Sequence, residues 1–319
     1  MKTILVTGGA GFIGSHLTEA LIKDKKVGKV ICVDNMDDNY PADLRKENLS
    51  SFKNNKKFKL YKTDIRDLPA LRNIFKKEKP EVVIHLAAKT DTRTSVTEPL
   101  EYETVNIGGT LNLLELSKDF NIKKFIFASS SSVYGNSAVP PIKETEITDF
   151  PLSPYGATKK TGEILSYTYS YNHALPVVCL RFFNVYGERM KPVTVLPKWV
   201  KNIFDGKEIE MSGKGTRKRD FTYVGDLVDA IIKSISKGGD FSILNIASSR
   251  PVSLRELLKV VEQKSKKKAI VKERESNRAS IEMSHANINN AKKTLGWNPK
   301  VSLEEGVRRY VNWFSSKSR

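Results

Sequence analysis

Short apolar runs recur along this 319-residue chain at residues 4–6, 30–33, 58–61, 82–86, 124–128 and 177–181, each of strand length. The segments between them carry apolar residues at helical spacing, so the first half reads as strand alternating with helix. Runs without polar interruption suit strands covered on both faces, and the alternation predicts an α/β fold with a doubly wound, mostly parallel sheet of the Rossmann type. Ligands in such sheets bind beyond the C-terminal strand ends. Thr7-Gly8, Asp34, Asp64-Ile65, Ala87-Ala88 and Ser129-Ser130 all fall where a run ends, which places them along one sheet edge. The connection 35–57 is long for adjacent strands, and Leu44, Leu49 and Phe52 suggest a helix with an extra loop.

Beyond Arg181 the elements shorten, with Pro192 and Pro197 near a turn, Gly213 and Gly215 in a loop, and helices expected at 224–236, 254–264 and 303–313. Residues 1–181 are therefore expected to form the cofactor domain. Residues 182–319 are expected to form mainly a smaller substrate-binding lobe, with some of that chain returning to the sheet. No long polar linker separates the two.

The first run feeds directly into Gly8, Gly11 and Gly14. Gly8 permits a sharp turn, Gly11 lets backbone approach a pyrophosphate, and Gly14 lets the next helix pack close, its N-terminal amides facing the phosphates. The second run ends in Asp34, about 20 residues on, where a dinucleotide fold holds the carboxylate that accepts hydrogen bonds from the adenosine ribose. That carboxylate repels a 2′-phosphate and no Arg immediately follows it, so NAD is expected rather than NADP.

Composition narrows the class further. With 39% hydrophobic and 28% charged residues the chain suits a globular enzyme. No apolar run is long enough to cross a membrane, and the opening segment is too short for a signal peptide, so the cytoplasm is expected. Cys32 and Cys179 both fall in predicted buried strands and read as reduced core thiols; no disulfide and no metal site is expected. A net charge of +18 invites a nucleic-acid reading. The lysine-rich stretches at 53–59, 76–79 and 264–268 are dispersed, however, and no aromatic RNA-binding signature accompanies them. No nucleic-acid partner is expected, and the field serves instead to draw in an anionic substrate.

Tyr155 and Lys159 stand one helical turn apart, on one side of a helix whose start Pro154 supports. A neighbouring ammonium and a positive nicotinamide both favour the phenolate, which makes Tyr155 a candidate base. The hydroxyls of Ser129, Ser130, Ser131 and Ser132, at the end of a central strand, can hold a reacting oxygen beside it.

With these motifs in place the chain resembles the extended short-chain dehydrogenase/reductases over nearly its whole length, in particular the nucleotide-sugar 4-epimerases and dehydratases. The matching segments are 8–14, 64–67, 85–88, 106–110, 129–135, 155–159, 181–187 and 219–224. The resemblance implies a catalytic group of Ser130, Tyr155 and Lys159. It places Phe12, Ile13, Asn35, Asp64, Ile65, Leu86, Ala87, Ala88, Asn106 and Phe182 with the glycines and Asp34 around NAD. Asn184, Arg219 and Arg278 would bind the sugar nucleotide, with Ser131 and Ser132 beside the sugar.

The related 4,6-dehydratases carry an Asp-Glu pair where Ser131 and Ser132 stand, and NADPH-dependent 4-keto reductases need a 2′-phosphate site that Asp34 opposes. Dehydratase and reductase are therefore the alternatives, a non-catalytic NAD- or nucleic-acid-binding module the reading from another class, and 4-epimerization of a UDP-sugar is expected. The loop 33–44 resembles that of UDP-glucuronate 4-epimerases, and Lys191 falls near their carboxylate-binding arginine, whereas Asn184 is similar to UDP-glucose 4-epimerases. The resemblance also implies a homodimer, through the helices at 106–118 and 155–169.

Overall fold

A computed structural model describes every residue except 38, 39, 137, 275–282, 318 and 319. Its centre is a seven-stranded sheet built from β1 (Lys2–Thr7), β2 (Val27–Val33), β3 (Phe58–Tyr61), β4 (Val82–His85), β5 (Lys124–Ser130), β6 (Val177–Phe182) and β7 (Phe241–Ile246). The spatial order is β7-β6-β5-β4-β1-β2-β3, and every pairing is parallel. The order reverses beside β1, the point at which such sheets open a crevice for a ligand. Six strands coincide with the apolar runs; β7, from well past residue 181, does not correspond to any of them.

The two-residue period of a strand sorts the apolar side chains onto two faces. Ile4, Val6, Val30, Ile84, Ile126 and Leu180 join one core, while Leu5, Ile31, Val83, Phe125, Phe127 and Cys179 join the other. Both cysteines are buried and free. No helix among the described residues is long and apolar enough to cross a membrane.

Helices α1 (Phe12–Lys23), α2 (Ala42–Ser50), α3 (Leu68–Glu78), α4 (Gly109–Asp119) and α5 (Pro154–His173) connect the strands. The Asp67 side chain accepts from Ala70 N at 3.0 Å to start α3, and Ser153 accepts from Gly156 N at 3.2 Å to start α5 with Pro154 at its first position. The helix expected at 106–118 begins as a π-turn, Glu103–Gly108, that runs directly into α4, and Asn106 within it is buried.

Beyond β6, besides β7, the chain forms small strand pairs and helices Val195–Phe204, Val224–Ser234, Leu254–Ser265, Asn289–Leu295 and Leu303–Lys317; the second, third and last of these are close to the expected spans. Pro197 lies in the first turn of its helix rather than in a loop, where its missing N–H breaks no helical bond.

Helix α5 seats directly on β5. A Cβ on Gly162 would lie 2.3 Å from Phe127 Cζ, and one on Gly156 would lie 2.6 Å from the Ser132 carbonyl oxygen. Gly162→Ala should therefore destabilise the fold by about 1–3 kcal/mol. Thermal denaturation of Gly162→Ala and of Gly162→Ala/Phe127→Leu checks this: the double variant should recover part of the loss, and equal midpoints for the two variants would refute the contact.

Candidate active site

The C-terminal ends of β1, β2, β4, β5 and β6 open onto one cavity of about 540 Å³. At its floor the chain leaves β1 through Gly8, whose φ of +70° is in the left-handed region. Gly8 N donates to Val33 O at 2.8 Å, and a Cβ on Gly14 would fall 2.0 Å from Gly8 O, so only glycine lets α1 begin this close to the turn. No side chain caps the first amides of α1, and Gly11, Phe12 and Ile13 at its start line the cavity.

Asp34 ends β2 with its carboxylate buried. Oδ2 accepts from Ala10 N and Oδ1 from Met36 N, both at 3.0 Å. Burial raises its pKa, opposed by the charge of Arg45 and by the two amides. Each oxygen retains a lone pair for a ribose hydroxyl. Arg45, from α2, places Nε 3.9 Å from Asp34 Oδ1, but its guanidinium is taken up by the Asp37 carbonyl and by Asp37 Oδ1 at 2.6 Å. A glycine cradle, a ribose acceptor and the apolar walls of Ile65, Leu86, Ala87 and Ala88 together fit NAD.

At the other end stand Ser130, Tyr155 and Lys159. Burial pushes the Tyr155 phenol up, and the Ser130 hydroxyl beside it opposes that push. Lys159 Nζ donates to Ala128 O at 2.8 Å and lies 5.1 Å over the Phe127 ring; burial lowers its pKa to about 7. The sequence spacing leads one to expect Lys159 to pull the phenol pKa down. In this arrangement its ammonium is directed at the strand carbonyl, and burial raises Tyr155 instead.

Beneath the cavity runs a chain of buried hydrogen bonds. Ala87 N donates to Thr7 Oγ1 at 3.2 Å, Thr7 Oγ1 lies 2.7 Å from His85 Nδ1, His85 Nε2 lies 2.9 Å from Thr110 Oγ1, and Thr110 donates to Asn106 O at 2.5 Å. Because the single hydroxyl proton of Thr110 goes to that carbonyl, His85 must donate from Nε2; burial disfavours the charged ring, which leaves Nδ1 to accept from Thr7. Asn106 then grips the Lys89 backbone at both its N–H (2.9 Å) and its carbonyl (3.0 Å), and donates to Thr158 Oγ1 at 3.0 Å.

The cavity thus brings together Gly8, Gly11, Phe12, Ile13, Gly14, Asp34, Asn35, Asp64, Ile65, Leu86, Ala87, Ala88, Ser130, Ser131, Ser132, Tyr155, Lys159, Phe182, Asn184 and Lys191. Asn106 lies below its wall. Arg219 lies outside the lining, on the strand Lys218–Asp220 that pairs with Pro251–Ser253. Arg278 falls outside the described residues. Arg45, Lys89 and Glu101 line the cavity although no sequence motif points to them; Lys89 alone carries a local signal, as the residue after Ala88.

The sequence profile of the family described as GDP-mannose 4,6 dehydratase matches residues 5–310. The chain belongs to this family of extended short-chain dehydrogenase/reductases. Among its relatives, a UDP-glucuronate 4-epimerase from Thermodesulfobacterium geofontis is 41% identical over 314 residues, covering 98% of this chain and 96% of that protein. A Bacillus cereus UDP-glucuronic acid 4-epimerase, solved with UDP-glucuronic acid and NAD, superposes with a TM-score of 0.91 at 34% identity over 99% of each chain. A Thermotoga maritima UDP-glucose 4-epimerase, solved with UDP-glucose, gives 0.91 at 35% identity, covering 99% of this chain and all of that one.

Burial drives His85 down to about 3, with the Lys159 charge adding to the effect. Between pH 6.5 and 3 the unfolded chain therefore binds a proton that the folded chain does not, and stability falls as pH falls. The thermal midpoint of wild type should drop more steeply from pH 6.5 to 4.5 than that of His85→Gln; parallel curves would show that His85 does not titrate on unfolding.

Proposed function

We propose that this NAD-dependent UDP-sugar 4-epimerase takes a UDP-hexuronate, UDP-glucuronate in one direction and UDP-galacturonate in the other. The observation that carries the choice of sugar is Lys191, half-buried in the wall of the cavity that also holds Ser130, Tyr155 and Asn184. Burial lowers its pKa, opposed by the charges of Asp37 and Asp91, while those of Arg45 and Lys89 add to the lowering. A C6 carboxylate is the group that separates a hexuronate from a hexose, and a lysine ammonium in the cavity wall is a cation able to pair with it. The names of the relatives support the same reading. The Asn184 side chain favours a neutral UDP-hexose as the second reading.

Bound along the glycine turn, NAD supplies a hydride acceptor for sugar C4 and a positive ring that favours the Tyr155 phenolate. Tyr155 takes the proton of the sugar 4-hydroxyl while Ser130 holds that oxygen by a hydrogen bond. Lys159, anchored on Ala128 O, holds positive charge beside the base. After the 4-keto sugar has turned its other face, C4 would take the hydride back on that face while Tyr155 returns the proton to the oxygen, and C4 is inverted. No net redox results. Ser131 and Ser132 offer hydroxyls where elimination of water would need acids, so dehydration is not supported.

A homodimer is part of this reading: Leu111 on α4 and Ile164, Tyr167 and Tyr171 on α5 are exposed apolar residues on the two helices expected to pair. A cytoplasmic site of action agrees with the two free thiols.

Incubating the purified protein with UDP-glucuronate and no added cofactor should yield UDP-galacturonate. Lys191→Ala should raise KM for UDP-glucuronate about 10- to 100-fold, the loss of roughly 1.5–3 kcal/mol from one charged contact, and leave KM for UDP-glucose unchanged. Preference of wild type for UDP-glucose, with equal effects of Lys191→Ala on both sugars, would remove the hexuronate reading.

A further inference from the structure

Behind the catalytic serine lies a charged pair that the reaction scheme does not use. Arg181 on β6 and Glu163 on α5 are 1% and 2% exposed. Arg181 donates from Nε to Glu163 Oε1 at 2.8 Å and from Nη2 to Oε2 at 2.7 Å, a two-pronged pairing of planar groups. Ser129 Oγ donates to the same Oε1 at 2.6 Å. The remaining arm, Nη1, donates to Glu144 O at 3.2 Å, and the guanidinium sits 4.7 Å from the centre of the Tyr134 ring. Every polar atom of the pair is therefore occupied.

Stability alone does not account for such a pair. The cost of removing two charges from water offsets most of their attraction, and apolar side chains of similar volume often stabilise a core as well or better. Its location supplies another reason. Ser129 and Arg181 are register partners on β5 and β6, and Ser129 immediately precedes Ser130. Glu163 lies one helical turn beyond Lys159, which itself lies one turn beyond Tyr155. Through the Ser129 bond to Glu163 the pair thus joins the strand that carries Ser130 to the helix that carries Tyr155 and Lys159, one residue and one turn away from the reacting groups. A directional hydrogen-bonded link fixes the sliding of a helix along a strand more tightly than apolar contact, which tolerates repacking.

We propose that Glu163 and Arg181 are positioning residues of the epimerase, which hold α5 and the end of β5 in the one register that keeps Ser130 beside Tyr155 in the cavity and Lys159 bonded to Ala128 O. They touch neither substrate nor cofactor and act through Ser129. The proposal rests on the epimerase reading above, because its readout is the turnover of that reaction. A displacement of a fraction of an ångström at Ser130 lowers the rate of proton transfer without weakening substrate binding, so kcat falls and KM does not.

The test measures kcat, KM, the pH profile of kcat and the thermal midpoint for wild type, Ser129→Ala, Glu163→Gln and Glu163→Met/Arg181→Met. Glu163→Gln strands a buried guanidinium and should lose both stability and turnover. In the Met/Met double variant the thermal midpoint should return to within a few degrees of wild type while kcat stays at least 10-fold low with KM within twofold. Ser129→Ala keeps the ion pair; it should hold the wild-type midpoint, lower kcat about 3- to 10-fold and move the midpoint of the kcat–pH profile. Recovery of kcat together with stability in the double variant would make the pair merely structural and overturn the proposal. So would a Ser129→Ala enzyme with unchanged kcat and pH profile, a result that stands even if the Glu163 variants fail to fold. A wild-type protein that epimerizes no UDP-sugar would instead overturn the epimerase reading itself.

Discussion

The seating of α5 on β5 is the contact on which the rest of the site depends. Tyr155 and Lys159 are spaced by the helix and Ser130 is placed by the strand, so the reacting constellation exists only if the two elements lie at one separation and one register. Gly156 and Gly162 set the separation, since a methyl group at either would strike the Ser132 carbonyl or the Phe127 ring. The bond from Lys159 to Ala128 O, and the Glu163–Arg181–Ser129 link one turn further on, set the register. Because β5 lies beside β4, which lies beside β1, the same placement puts the base opposite the cavity end of the glycine turn.

Two buried polar systems frame this contact, and they differ in kind. The chain from Thr7 through His85, Thr110 and Asn106 to Thr158 is neutral and fully paired, and it links the cofactor turn to the first turn of α5. The Glu163–Arg181 pair carries charge. Between them the pocket around Tyr155 and Lys159 has few charges of its own, so burial governs both groups, raising the phenol and lowering the ammonium. A positive ring brought into such a pocket acts with little screening, which is how one fold can hold Tyr155 protonated until the cofactor shares its environment.

Much of this was legible in the amino-acid sequence where the signal is local. Six strands centre on short apolar runs, and the turn at Gly8–Gly14 with Asp34 lies within one βαβ unit, so sequence spacing and spatial spacing coincide. The seventh strand was not legible: Phe241–Ile246, at the sheet edge, includes the polar Ser242 and Asn245, whose partners, Gly238 O for one and Ile142 O for the other, are known only once the chain is folded. Arg45 approaches Asp34 only because Asp37 captures its guanidinium across a loop, a tertiary event with no spacing rule behind it. The π-turn at Glu103–Gly108 left no mark in the periodicity either, and neither did the clamp that Asn106 makes there on the Lys89 backbone.

The central claim is that hydride leaves C4 and returns to it within one closed site. Reaction of the purified protein with UDP-glucuronate carrying deuterium at C4, in ordinary water and without added cofactor, tests it most directly. The account predicts UDP-galacturonate that retains deuterium at C4. Epimer formed with the label exchanged into solvent would show proton chemistry at carbon instead, and would contradict both the glycine turn as the seat of the hydride carrier and Tyr155 as the base at the 4-hydroxyl.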